Sequence, residues 1–337
     1  MFVGHECLAF ALAGWGARRA GRDARTALAL AGVAALAALL PDLDVAYAVA
    51  TYAAAVAGGV PLGWEAFWGV ANRVHRVVTH PLPVGAAATL AFGAGHLAVG
   101  RTRRSDPSPS AVVTAAVALL AGLAILWGFR STVRLSAAVV AAAFLLVAAV
   151  VGAAVARRTS LPPTATMLAA GVGFLTHPFG DVFLASPPPL LSPFGPPLLT
   201  ERVVLAVDPT LNLLGVLFVE VAAVWAAVAV YARLASPGGS PTALRDAVDP
   251  RAGLGLVYAP AAVVLPRPTI ADAHVLGFTI VPLALLVGGW IWLSGRGDDG
   301  IRSSARPDGD PRFVAIVGAL TALTVAAAGY LVAYAAA

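Results

Sequence analysis

The sequence predicts an all-α fold, a polytopic transmembrane helical bundle of roughly eight to nine spans, some of them short or re-entrant. Three observations predict it. Hydrophobic residues make up 59% of the chain and charged residues only 12%, with a mean hydropathy of +0.85, values far from those of a soluble domain. Apolar stretches long enough to cross a hydrocarbon core of about 30 Å recur along the chain. Ala, Gly and Val dominate those stretches, which suits closely approaching helices.

Residues 2–16 form the first apolar helix, followed by a basic turn and a second helix at 26–40 that Pro41 stops. Asp42 and Asp44 therefore lie just past a helix end. The stretch 46–60 is apolar but only about a half to three-quarters of a 20-residue span, so it reads as re-entrant or interfacial. Trp64, Phe67 and Trp68 follow it as interface aromatics. Spans come next at 82–100, 111–129, 135–156 and 164–184, with a linker at 105–110. Residues 185–197, S-P-P-P-L-L-S-P-F-G-P-P at their core, contain too much proline for a regular helix and suit a lid or rim. A long helix at 203–232, a polar loop at 236–251 and apolar segments at 254–265, 275–293 and 313–334 complete the chain. The segment 296–312 is polar and glycine-rich, as expected of a flexible loop. No repeat of fixed period is present. Residues 1–202 carry the histidine and aspartate motifs, and 203–337 contribute additional helices.

The net charge of +5 comes almost wholly from arginines clustered between apolar segments, as Arg18-Arg19-Arg22-Arg25, Arg101-Arg103-Arg104 and Arg157-Arg158. That pattern reads as positive-inside flanks in a plasma membrane. It does not read as a nucleic-acid surface, because no basic stripe is interleaved with aromatics. Cys7 is the single cysteine, which excludes an intrachain disulfide and a Cys-based zinc finger. The N-terminus lacks a basic region before its apolar run and a cleavage site, and is read as mature sequence.

Four of the six histidines, with three aspartates, sit in short clusters at the ends of apolar segments. These are G-H at Gly4-His5, P-D-L-D at 41–44, H-R-V-V-T-H at 75–80 and T-H-P-F-G-D at 176–181. Imidazole and carboxylate ligate divalent metals, and membrane segments rarely carry them without a reason. If the arginine flanks are cytoplasmic, all four clusters fall on the extracytoplasmic face, provided 46–60 does not cross. Beyond Pro41 an extended backbone would point Asp42 and Asp44 the same way, to clamp a cation; a solvated turn is the bland alternative. His75 and His80, five apart, do not share a helix face, but Pro81 pushes His80 out of helical geometry and lets it turn back. Arg76 between them can clamp an anion such as phosphate. His177 and Asp181 are spaced i, i+4, for one metal or for a His–Asp pair that fixes packing. Pro178 must then lie in the first turn of its helix or kink it. Glu6 is a spare ligand. His96 lies near the opposite end of its span and His274 suits a helix start, so both stay outside the site. Glu220 is a polar outlier in a long apolar helix.

Read in order, the G-H start, L-L-P-D-L-D at 39–44, H-R-V-V-T-H at 75–80 and G-F-L-T-H-P-F-G-D at 173–181 resemble the YdjM-like family of membrane-bound metal-dependent hydrolases. The likeness covers about the first 200 residues. It implies metal ligation by His5, Asp42, Asp44, His75, His80, His177 and Asp181, with a divalent cofactor for which zinc is favoured. It also implies metal-assisted hydrolysis, in which Asp42 or Asp44 serves as base or bridge and Arg76 steadies a developing anion. A site at the membrane face implies an amphiphilic or lipid-linked substrate, with a phosphoester as the favoured bond. The rival readings are a metal-ion or proton-coupled transporter, which predicts ligands near the bilayer midplane, and a structural membrane protein that binds no metal. H-E-x-x-H, G-x-S-x-G and G-x-x-x-x-G-K-[ST] motifs are all absent.

Overall fold

The chain forms helices throughout. In a computed structural model, described for residues 3–71, 75–101, 109–183, 186–236, 243–295 and 310–337, no strand occurs among the described residues. Two compact units are present, one of Met1–Arg22 with Ala29–Arg202, the other of Asp23–Leu28 with Val203–Ala337. The first contains α1 (Gly4–Arg19), most of α2 (Ala24–Leu39), α3 (Val45–Ala57), α4 (Trp64–Ala71), α5 (Leu82–Arg101), α6 (Pro109–Thr132), α7 (Leu135–Arg158) and α8 (Pro163–Asp181). The second contains α9 (Pro209–Ala235), the short α10 (Ala243–Asp246) and α11 (Ala261–Val264), α12 (Ala273–Gly295) and α13 (Pro311–Ala336).

Seven helices among the described residues are long and apolar enough to cross a membrane, so the protein is a polytopic membrane bundle. The count is lower than the eight to nine expected, for identifiable reasons. Helix α1 has 16 residues, about 24 Å at 1.5 Å per residue. In α8 the polar residues Thr176, His177 and Asp181 crowd the last turns and lower its hydropathy. The apolar run at 254–265 is divided between a 3-10 helix at Pro250–Tyr258 and the four-residue α11.

Pro41 does not end its helix in extended chain. Pro41–Asp44 form a 3-10 turn that passes directly into α3, so Ala24–Ala57 is one continuous helical run. Helix α3 alone has 13 residues, about 20 Å, too short to cross. Helix α9 starts at Pro209 and not at 203, because Asp208 caps it by accepting from the Leu211 N–H. Asp249-Pro250 and Asp310-Pro311 start their helices in the same way, a carboxylate cap followed by a proline that needs no N–H partner. Arg103, Arg104, the 105–108 part of the linker and 296–309 of the glycine-rich loop lie outside the described residues.

The core of the first unit is built where α5, α7 and α8 meet, around Phe92, Phe144, Phe174 and a set of buried alanines. Glycine sets the spacing. A Cβ on Gly152 would stand 2.1 Å from the Phe92 carbonyl oxygen, and one on Gly95 would stand 1.9 Å from that of Ala149. The two backbones therefore touch, as small residues allow in membrane helices. Gly152→Ala is expected to force α5 and α7 apart at a cost of about 1–3 kcal/mol, read as a lower midpoint for thermal unfolding in detergent. An unchanged midpoint would contradict this packing.

Candidate metal centre

The four polar clusters meet at one end of the first unit. His5 enters from the first turn of α1, Asp42 and Asp44 from the 3-10 turn, His75 to His80 from an irregular turn before α5, and His177 with Asp181 from the last turns of α8. Arg18 and Arg19, at the far end of α1, and Arg157 and Arg158, just before α8, mark the opposite helix ends. Gly173, one turn before His177, explains how α8 comes close enough. A Cβ there would lie 2.3 Å from the Ala34 carbonyl oxygen, so the glycine lets α8 settle against α2 and brings His177 to Asp42. Pro178 sits in the last turn of α8, neither at its start nor at a break.

Five side chains converge. His80 Nε2 lies 3.0 Å from His177 Nε2, 3.1 Å from Asp181 Oδ2 and 3.4 Å from Asp42 Oδ1. His177 Nε2 is 3.5 Å from Asp42 Oδ1, and His5 Nε2 is 3.5 Å from Asp181 Oδ1. Ligands held at the 2.0–2.1 Å of a tetrahedral zinc site would be spaced about 3.3–3.4 Å apart. These contacts lie around that value, and the donor atoms of each candidate triad lie within 4.8 Å of one another, so small side-chain shifts would seat a divalent ion. Two triads can each hold a metal ion, His5 with Asp42 and His177, and His80 with His177 and Asp181. His5, His80, His177 and Asp181 are buried, and only Asp42 shows a sizeable exposed face, 31% of its side chain. The approach to the cluster therefore lies on the Asp42 side.

Asp42 and Asp44 do not point the same way. A 3-10 turn has three residues per turn, so positions two apart project in different directions. Asp42 faces the Nε2 atoms, whereas Asp44 faces the other edge of the site. There it accepts from His75 Nδ1–H, from the Arg76 backbone N–H at 2.9 Å and from the Thr79 hydroxyl at 2.7 Å. Because that hydroxyl donates to Asp44, its oxygen accepts from His80 Nδ1–H at 2.9 Å. The relay His80 to Thr79 to Asp44 fixes the ring and turns Nε2 toward the cluster, as the outer partners of metal-binding histidines do. Asp44 and His75 thus stand one layer out from the converging atoms. Thr79 did not emerge from the sequence; its only mark there is its place before His80, and its role needs the folded turn.

Electrostatics favour a cation at this point. Burial works against a charged His80, yet the carboxylates of Asp181 and Asp42 outweigh it and push the imidazole up to about 9. A proton on His80 Nε2 then sits among three acceptors, the place a metal ion would take. Glu6, beside His5, has both carboxylate oxygens buried without a hydrogen bond. His96 is buried in α5, and neither of its ring nitrogens has a hydrogen-bond partner.

Arg76 closes the cluster. Its Nε lies 3.2 Å from Asp181 Oδ2, and its backbone has φ = 72°, the positive value of a non-glycine residue among those described. The left-handed turn lets its N–H reach Asp44 while its side chain reaches Asp181. Substituting Arg76 by Ala or Gly removes the same guanidinium, but only glycine accepts this backbone freely. Arg76→Gly is expected to be the more stable of the two by about 1 kcal/mol, the reverse of their order in a helix. Equal thermal midpoints for the pair would contradict a strained backbone here.

The fold and the cluster together define a polytopic helical membrane protein with a buried His/Asp centre able to hold a metal ion. Comparison with known protein families, curated proteins and solved structures finds no match for this chain.

Proposed function

We propose that the protein is a membrane-bound metal-dependent hydrolase of YdjM-like type, acting on a phosphoester in an amphiphilic or lipid-linked substrate at the extracytoplasmic face of the plasma membrane. The observation that carries this reading is the convergence of five imidazole and carboxylate side chains, close enough to share a metal ion and open on one side. His5, Asp42, His80, His177 and Asp181 would hold the ion, for which the nitrogen-rich donor set favours zinc. Such an ion, when bound, acidifies a water and polarises an ester oxygen.

The chain's own residues divide the remaining work. Asp44, through Thr79, holds His80 in one tautomer and orientation. Asp42, the most open member, is placed to take a proton from a water at the mouth of the site. Arg76, braced by Asp181 and 14% exposed along its side chain, presents a cation for the charge that develops on a phosphoryl group. His75, tied to Asp44, forms the wall beside it. Location at helix ends supports a hydrolase over a transporter, whose ion sites sit near the bilayer midplane on broken helices.

The test is a panel of p-nitrophenyl phosphomonoesters, phosphodiesters and carboxylic esters, with protein purified in detergent. Phosphoester cleavage that a chelator stops and zinc restores is the expected result. Absence of cleavage together with zinc flux into vesicles would replace the hydrolase by the transporter.

A further inference from the structure

Helices α3 and α4 form a hairpin set between the two halves of the site, following Asp44 and preceding His75. Across residues 45–71 the only charged side chain is Glu65. Only Ala48 and Ala71 of this stretch are buried, while Leu62 at its tip is 81% exposed and Trp64 52%. With 13 and 8 residues, the helices reach about 20 and 12 Å, each too short by itself to cross the bilayer. The hairpin is nevertheless well formed. The Gly63 N–H donates to the Tyr52 hydroxyl at 2.9 Å, which in turn donates to the Pro61 carbonyl at 3.1 Å. Tyr52 meets Phe67 edge-on at 5.4 Å, and Trp68 stands between Trp64 at 5.6 Å and His75 at 6.4 Å. A row of aromatic rings thus runs from the exposed tip of α4 to the wall of the metal centre.

An exposed, aromatic hairpin with a single charge and two short helices is what an interfacial membrane segment requires, and in water it would be an apolar patch without cover. We propose that the α3–α4 hairpin lies within the lipid interface and carries the apolar chain of an amphiphile whose anionic head group sits at the His/Asp cluster. The head-group half of this proposal rests on the reading of the site given above. The rings give the chain a continuous apolar path, and Arg76 receives the anion at its end.

Two measurements on the full chain test it. In a Cys7→Ser background, a spin label at Leu62→Cys in phosphatidylcholine–phosphatidylglycerol vesicles is expected at about 5–10 Å below the phosphates, reached by oxygen and shielded from a nickel chelate. Free access of the chelate, or labelling from both sides of the membrane, would overturn the placement. A dodecylphosphonate with a diazirine at its far end is expected to crosslink within 45–71. Competition by dodecylphosphonate but not methylphosphonate, and a loss of about tenfold in Trp64→Ser, should accompany it. Crosslinks outside the hairpin, or insensitive to competition, would overturn the chain path. Correct crosslinking without hydrolysis of any ester would sink the hydrolase reading alone.

Discussion

Protein carrying His177→Ala is expected to retain less than about a tenth of the metal bound by wild type, because it removes a donor from both candidate triads rather than an outer partner. His177 belongs to both candidate triads and is fully buried. Its Nε2 lies within 3.5 Å of both Asp42 and His80, which puts it at the centre of the donor set. The ring also packs against His5 and His80 at centroid distances of 4.1 and 4.6 Å, and its removal leaves a cavity. Circular dichroism separates the two effects, since the helices of α5 and α7 hold one another independently of this end. Helical protein without metal is the expected outcome, and helical protein with a full complement of metal would remove His177 from the centre.

The second large effect is expected from a residue that does not face the ion. Asp44→Asn should weaken metal binding about 10–100-fold, measured by competition with a chromophoric chelator. Asp44 is nearly buried and accepts from three donors, His75, Arg76 and Thr79. An asparagine offers one acceptor oxygen and turns an N–H₂ toward groups that are themselves donors, so the Thr79 link to His80 is broken. Thr79→Val should reproduce part of the loss, because it cuts the same relay without touching Asp44. Binding within about twofold of wild type in both variants would show that the relay does not orient His80.

Much of this architecture can be read from residue order, because its causes are local. Apolar runs of Ala, Val and Leu must form helices in lipid, where every backbone group needs an internal partner. Arginines at helix ends and histidines at the opposite ends already group the polar clusters on one side. The features that escaped are those set by contacts between segments. P-D-L-D looks like a helix stop, yet the α3 helix that follows keeps it in a 3-10 turn, and this turns Asp42 and Asp44 apart. Thr79 becomes a link only when Asp44, 35 positions earlier, arrives beside it. Gly173 looks like one of many small residues until α2 is seen against it. The left-handed backbone of Arg76 has no mark in its neighbours, since nothing local favours it; Asp44 and Asp181 hold it there from two other elements. The division of the histidine and aspartate set into an inner and an outer layer is likewise a property of the folded turn.

The most direct measurement is elemental analysis of wild-type protein, purified in mild detergent without chelator and normalised to chain concentration. About one or more divalent ions per chain, with zinc predominating, is the expected result. Protein that stays helical yet holds no divalent ion, and takes up none on dialysis against zinc, would contradict a metal centre at His5, Asp42, His80, His177 and Asp181.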